Sequence, residues 1–310
     1  SPARTLRCPT GHTFDLAKQG YITLLTGAST KMTGDTPAML DARATFQSAG
    51  HFTPIAEAVA RAVNKAVFGA DSPTAATSIA RSTVRARITA PGMSVTSASA
   101  TRLAATLLNS TARRDTAVLE RNAAVLEIGA GTGYYLAAVL DAMPWARGIA
   151  LDVSKAAARR AARAHVRAGS VMADAWRGLP VRDGVADAVV CVFAPRNAEE
   201  VARVLAPGGR FVVVTPTSRH LGELVGPLGM VSVDEGKEDR LAESLGERFE
   251  LVGRESVEYV MELSREDVAN VVGMGPSAFH AGEERAERIA GLADPIGVTA
   301  SVTVASYRVR

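Results

Sequence analysis

The stretch Val125-Leu-Glu-Ile-Gly-Ala-Gly-Thr-Gly133 restricts the fold of this chain more than any other. A short apolar run is cut off by three alternate glycines, and the helical pattern Tyr134–Ala142 follows at once. Glycines in that position let the backbone turn sharply and approach a ligand with no Cβ in the way. The rhythm continues downstream. Ala146–Asp152 reads as a strand and Lys155–His165 as an Ala/Arg-rich helix; Ser170–Ala173, Ala186–Phe193 and Arg210–Val214 read as strands, with Glu199–Leu205 a helix between the last two. Strands alternating with helices imply an α/β fold, a doubly wound parallel sheet covered on both faces. Pro207-Gly208-Gly209 reads as a tight turn feeding a strand, and Thr299–Arg310 as an antiparallel edge strand.

Glycine-rich loops serve many ligands, and the acids around this one narrow the choice. Glu127 lies inside the strand ahead of Gly129, Gly131, Thr132 and Gly133, where a phosphate-cradling loop would avoid negative charge and an amino group would welcome it. Asp152 ends the next strand, placed to accept from ribose hydroxyls. Asp174-Ala175 follows the third strand, at the adenine edge. Three acids at successive strand ends suit a cationic nucleoside without pyrophosphate, S-adenosyl-L-methionine, better than a dinucleotide. The blander reading makes Glu127 and Asp174 helix caps and Asp152 a turn residue.

The 310 residues are 47% hydrophobic and 22% charged, enough for a full core and an appendage. The longest apolar runs, such as Ala186–Pro195 and Phe211–Pro216, are strand-length, far short of the ~20 residues of a membrane-spanning helix. With only Cys8 and Cys191, a disulfide framework is excluded and a reducing, cytoplasmic setting is expected. The net charge of +3 hides an asymmetry: residues 1–126 hold 14 Lys+Arg against 7 Asp+Glu, leaving 21 against 25 for the rest. A basic front on a near-neutral body suits an enzyme acting on a polyanion.

Four regions are expected: a small module at 1–35, linking helices at 36–68, a Ser/Thr/Ala/Arg-rich insertion at 69–121 with a tendency to disorder, and a catalytic domain at 122–310. Thr36–Ala49 reads as a helix with Thr36 as N-cap, Pro37 at its first position and Asp41 in its early turns; Pro54–Ala66 reads as another. The start, Ser-Pro-Ala-Arg, has neither an initiator Met nor a secretory pattern and reads as internal to a longer chain.

Several words outside the glycine loop carry a closer likeness. They are Cys8-Pro-Thr-Gly-His12 through Lys18 and Tyr21, the Ala42-Arg43 to Phe52 stretch, Glu127–Gly133, Leu151–Lys155, Val192-Phe193-Ala-Pro195-Arg196-Asn197, Thr215-Pro216 through Arg219-His220-Leu221, and Met274-Gly-Pro276 through His280. With them the chain resembles the 23S rRNA (guanine-N1)-methyltransferases, the group that holds the tylosin-resistance enzymes. The resemblance spans nearly all of the chain except Asn64–Arg121, a segment longer than this family leads one to expect, where Arg81, Arg85 and Arg87 could add phosphate contacts. It implies a seven-stranded Rossmann-like class I methyltransferase domain behind a small zinc-ribbon-like RNA-recognition module. It also implies methyl transfer to N1 of a guanine in a domain II hairpin of 23S rRNA, of the G748 rather than the G745 type, macrolide resistance, and a homodimer.

The family's module holds zinc through Cys-x-x-Cys followed by Cys-x-x-x-His. Here Cys8 and His12 match the second pair, and no cysteine precedes them. Two ligands cannot close a tetrahedral site, so no metal is expected in the chain as it stands, and zinc only if a longer chain supplies two more ligands. On the substrate side, guanine N1 is hidden by base pairing and must be unpaired or extruded. Phe193 and Pro195, after the fourth strand, are expected to flank the purine, and His220 and His51 are candidates to touch it. Against this stands the alternative that Phe193 is simply the last core residue of its strand. Lys18, Arg43, Arg196 and Arg219 are candidate RNA phosphate contacts, each with an ordinary surface alternative. Two other functions fit less well: methylation of a small biosynthetic metabolite, and a non-catalytic RNA-binding relative that keeps the donor pocket.

Overall fold

The computed structural model describes residues 4–8, 11–25, 32, 34–68, 122–230, 243–275 and 283–310; the expected insertion at 69–121 and the word ending at His280 fall wholly or partly outside them. The N-terminal residues make a hairpin of β1 (Thr5–Arg7) and β2 (Thr13–Asp15), then β3 (Tyr21–Thr23). Two helices follow, α1 (Pro37–Ser48) and α2 (Thr53–Phe68). Thr36 caps α1 as expected, its Oγ1 accepting from the Met39 N–H at 3.2 Å. On α2, Ile55, Val59 and Val63 recur every fourth residue and are fully buried, the stripe by which this helix covers the sheet.

The rest of the chain runs β4 (Ala124–Ile128), α3 (Tyr134–Ala142), β5 (Arg147–Asp152), α4 (Lys155–Ala161), β6 (Ala168–Met172), β7 (Ala186–Val192), α5 (Ala198–Val204), β8 (Leu205–Pro216), α6 (Gly222–Leu228), β9 (Phe249–Leu263), α7 (Arg265–Gly273), α8 (Glu283–Ala290) and β10 (Ile296–Val309). The sheet order is β3-β6-β5-β4-β7-β8-β10-β9, parallel from β3 to β8, with β10 antiparallel to both its neighbours. Parallel strands lose both faces to covering helices, so β4, β5 and β7 are buried nearly throughout.

Four details correct the sequence reading. The expected seven strands are joined by an eighth, because Tyr21–Thr23 pairs parallel with Ser170–Met172 and so ties the N-terminal module into the main sheet. The final strand is interior, and the edge is β9, which the sequence reading missed. The reason is visible in its pattern: Glu250, Arg254, Glu255, Glu258 and Glu262 break any apolar run, as suits a strand whose open side must refuse further pairing. The helix expected over Lys155–His165 ends at Ala161, and the chain turns through Ala162–Ala164 before β6. Pro207–Gly209 is also no separate turn but an irregularity inside β8, where the register with β7 slips between Ala186 and Ala188.

Strand order reverses at β4, with β5 and β6 on one side and β7 and β8 on the other. The carboxyl ends of β4 and β7 therefore diverge, and a crevice opens between them.

Candidate active site

The loop from Gly129 to Gly133 leaves β4 with all three glycines at positive φ, 68°, 55° and 78°. Close approach requires two of them as well: a Cβ on Gly129 would stand 2.5 Å from the Ala194 Cβ after β7, and one on Gly133 would stand 2.8 Å from the Ala164 Cβ and 3.2 Å from the Ala161 Cα. One on Gly131 would stand 2.6 Å from Arg43 Nη1, the movable end of a long side chain. Period-two alternation puts Glu127 on the same face of β4 as Val125, toward α3. Its carboxylate Oε2 accepts from the Leu136 N–H at 3.2 Å, in the first turn of that helix. The group is 1% exposed, and burial pushes its pKa up to about 8, against the help of that N–H.

Asp152, at the end of β5, uses both carboxylate oxygens: Oδ2 accepts from the Gly131 N–H and Oδ1 from the Ser154 N–H, each at 2.8 Å. It thereby braces the glycine loop. Burial raises its pKa, and the Ser154 and Gly131 N–H groups oppose that rise. Asp174 caps the short 3-10 turn Ala175–Arg177 by accepting from the Trp176 N–H at 3.0 Å. Thr132 Oγ1 donates to Gln47 Oε1 at 2.7 Å, which fastens the loop to α1.

These groups line one cleft of ≈ 810 Å³. Glu127, Gly129, Thr132, Asp152, Asp174, Ala175, Phe193, Pro195 and His220 all border it; Gly131 and Gly133 shape the loop without lining it. The sequence reading missed the wall opposite the sheet, which comes from α1 and α7 through Met39, Gln47 and Val271, with Phe52, Tyr135 and Trp176 completing the lining. Only the pairing of α1 with α7 reveals it, since nothing in either helix's own sequence says that the two pack together against the cleft.

The crevice's second half is aromatic. Phe193 sits just past β7 with φ 53°, a left-handed backbone that a bulky residue adopts at a cost of about 1 kcal/mol or more. The consequence is that its ring leaves the core and is 42% exposed in the cleft, so the core-residue alternative is set aside. That ring stacks on His220, centroids 5.7 Å apart at 30°, and Phe52 lies 6.1 Å from His220. His220 Nδ1 accepts from the Ser301 N–H at 3.2 Å, which leaves the proton of the neutral ring on Nε2. Burial lowers its pKa to about 4, so the ring is neutral at physiological pH. Two further bonds stitch the His220 loop to β10, Thr217 N–H to the Ser301 carbonyl and Leu221 N–H to the Thr299 carbonyl.

Residues 125–209 match the family model described as Methyltransferase domain, and residues 1–29 match that described as RlmA, N-terminal. A Streptomyces fradiae protein named 23S rRNA (guanine(748)-N(1))-methyltransferase is 41% identical over 98% of this chain and 90% of its own length. A Micromonospora griseorubida protein with the provisional name 23S rRNA (guanine-N(1)-)-methyltransferase is 44% identical over 99% and 92%. This chain belongs to the 23S rRNA (guanine-N1)-methyltransferases. Among solved structures, the MccD protein aligns over 62% of this chain and 92% of its own at 17% identity, TM-score 0.43, a likeness that says nothing about the acceptor.

In this methyltransferase the expected phosphate contacts take different positions. Lys18 is exposed in the N-terminal module and Arg196 is half-buried beside the β7 turn. Arg219 is 71% exposed and pairs with Glu258 at 2.6 Å, outside the cleft lining. Arg43 points the other way, into the cleft, with Asp35 at 2.6 Å and the Met274 carbonyl at 2.9 Å. His51 stands 3.1 Å from Asp267 Oδ1 and 4.7 Å from the Phe46 ring, away from the cleft lining. Cys8 Sγ and His12 Nδ1 face each other at 3.3 Å, yet the described residues contain no group of three or more metal-ligating side chains. The residues present do not complete a tetrahedral zinc site. Among the described residues no helix is long and apolar enough to cross a membrane.

Proposed function

We propose that this chain methylates N1 of a guanine in a domain II hairpin of 23S rRNA, at a G748-type position, with S-adenosyl-L-methionine as donor, and so confers macrolide resistance. The observation that carries the reading is the division of one cleft into two halves: a glycine loop with buried acids on one side of the switch point and the outturned Phe193–His220 stack on the other. The residues fit the donor, since among the described residues the lining holds Asp35, Glu127, Asp152 and Asp174 against a single arginine, acids suited to a cation. When bound, the donor supplies a methyl group on a sulfonium. Asp152 and Glu127 orient it, through ribose hydroxyls and the ammonium group, and Asp174 with Ala175 borders the adenine.

The acceptor half receives an extruded purine against the face of Phe193, with Pro195 at its edge. The S–CH3 bond breaks as the N1–CH3 bond forms, the N1 proton passes to solvent water, and its loss moves negative charge onto N1 and O6. His220 carries its proton on Nε2 and is held by Ser301, so its role is to donate to that developing charge rather than to remove the proton. Lys18, Arg196 and Arg219, outside the cleft, are left to meet phosphates. An rRNA acceptor puts the reaction in the cytoplasm. The homodimer and the four-region division of the chain belong to the same proposal, and sedimentation and limited proteolysis measure them.

Primer extension tests the activity. A domain II hairpin incubated with protein and donor should give a new reverse-transcription stop at the target guanine. No stop on that RNA, beside methyl transfer to a small acceptor, would overturn the proposal.

A further inference from the structure

Arg43 was expected to face RNA, and the structure turns it inward. Its side chain is 23% exposed, it borders the cleft, and its Nη1 lies over Gly131, 2.6 Å from where a Cβ there would stand. Two of its N–H groups are committed, one to Asp35 and one to the Met274 carbonyl, and the guanidinium has further donors. Among the described lining residues it is the single arginine and there is no lysine, while His220 is neutral. One cation thus stands among four acids, directly over the loop expected to approach the donor's amino-acid end.

A second observation points to the same spot. Tyr135 Oη is buried, borders the cleft and has no hydrogen-bond partner among the described residues. Glu127 and Arg43 both act on it electrostatically, in opposite senses. A buried hydroxyl left without a partner costs roughly 1–3 kcal/mol and is tolerated where a ligand supplies the partner. The lining thus brings together an acid, Glu127, a hydroxyl donor, Tyr135, and a cation, Arg43, the groups that an α-amino acid head matches with its ammonium and carboxylate.

We propose that Arg43, assisted by the Tyr135 hydroxyl, binds the carboxylate of the methyl donor's methionine moiety, so that α1 closes the donor site and Arg43 makes no RNA phosphate contact. The proposal rests on the donor assigned above. It also explains why α1 is fastened to the glycine loop by the Thr132–Gln47 bond: the helix presents Arg43 at a fixed height over Gly131.

Calorimetry on the full chain without RNA tests it, with two probes: S-adenosylhomocysteine and its decarboxylated analogue S-adenosyl-3-thiopropylamine, which keeps the ammonium and loses only the carboxylate. Wild type should bind the first at least about tenfold more tightly. Arg43→Gln should weaken the first by about tenfold to a hundredfold and leave the second within about twofold, collapsing the ratio toward one. Tyr135→Phe, which removes one oxygen and keeps the ring packed, should narrow the ratio several-fold and serves as the test should Arg43→Gln fail to fold. Equal losses for both probes in Arg43→Gln, or an unchanged ratio in Tyr135→Phe, overturn the proposal. So does unchanged S-adenosylhomocysteine binding beside weakened binding of the rRNA hairpin, the signature of a phosphate contact. Because no RNA enters the measurement, a correct carboxylate site with no methylation of 23S rRNA would sink the acceptor assignment alone.

Discussion

Replacing Glu127 by Gln should make the empty protein more stable and a poorer binder of its donor. The carboxyl is fully enclosed and its pKa is lifted from 4.5 to about 8. At about 1.4 kcal/mol for each unit of pKa, ionising it inside the fold costs about 5 kcal/mol above pH 8 and about 3 kcal/mol at pH 7. The sign follows from the direction of the shift. An acid with a raised folded pKa costs nothing below about pH 4.5, costs progressively more as pH rises, and levels off past about pH 8. Gln can still accept from the Leu136 N–H and carries no charge. With half the penalty offset by relaxation and by the amide's own desolvation, the variant gains about 2 kcal/mol at pH 8, several degrees in Tm. That advantage should shrink steadily toward pH 5. Donor affinity should fall by about tenfold to a hundredfold, as expected on removal of a buried charge-assisted partner. Wild type should also release nearly one proton on binding the cationic donor at pH 7, read as a dependence of the calorimetric heat on buffer ionisation enthalpy, and the variant should not. Thermal melts from pH 5 to 9 and titrations in phosphate and Tris supply both readouts. A variant no more stable than wild type at pH 8, with donor affinity unchanged, would refute the reasoning.

Other outcomes follow from the same geometry. Asp152→Ala should weaken donor binding about tenfold or more, since the carboxylate braces the Gly131 N–H and is assigned the ribose, and should leave hairpin RNA affinity unchanged in a filter-binding assay. His220→Phe keeps the aromatic stack and removes the Nε2 donor, so kcat should drop by about ten- to a hundredfold with KM little changed; with the wild-type ring neutral above about pH 4, no rate inflection near pH 6.5 should belong to it. Phe193→Ala should raise KM for the hairpin while donor affinity holds, because the ring is assigned to the purine alone. Gly129→Ala sets a methyl 2.5 Å from the Ala194 Cβ on a backbone at φ 68°, and should cost about 1–3 kcal/mol in denaturant melts together with donor binding.

The sequence by itself determined the glycine-loop half of the cleft. Strand, glycines and acids lie within residues 125–175 in an order that local physics reads directly: glycine where φ must be positive, apolar residues where a strand is buried on both faces, an acid where each strand ends. Words scattered from Cys8 to His280 carried the family, and the incomplete Cys8–His12 pair was visible without coordinates. Tertiary structure decided what depends on contacts distant along the chain. That β9 is the edge and β10 interior follows from pairing across the sheet, which a charge-broken strand pattern does not announce. The tautomer of His220 hangs on a hydrogen bond from Ser301, eighty-one residues away. Arg43 reads as a surface cation in its own helix, and only the docking of that helix over Gly131 and against Met274 turns it into the cleft. Periodicity places a side chain on a face of its element; what that face meets is set by the packing of elements far apart in sequence, and that packing placed Arg43.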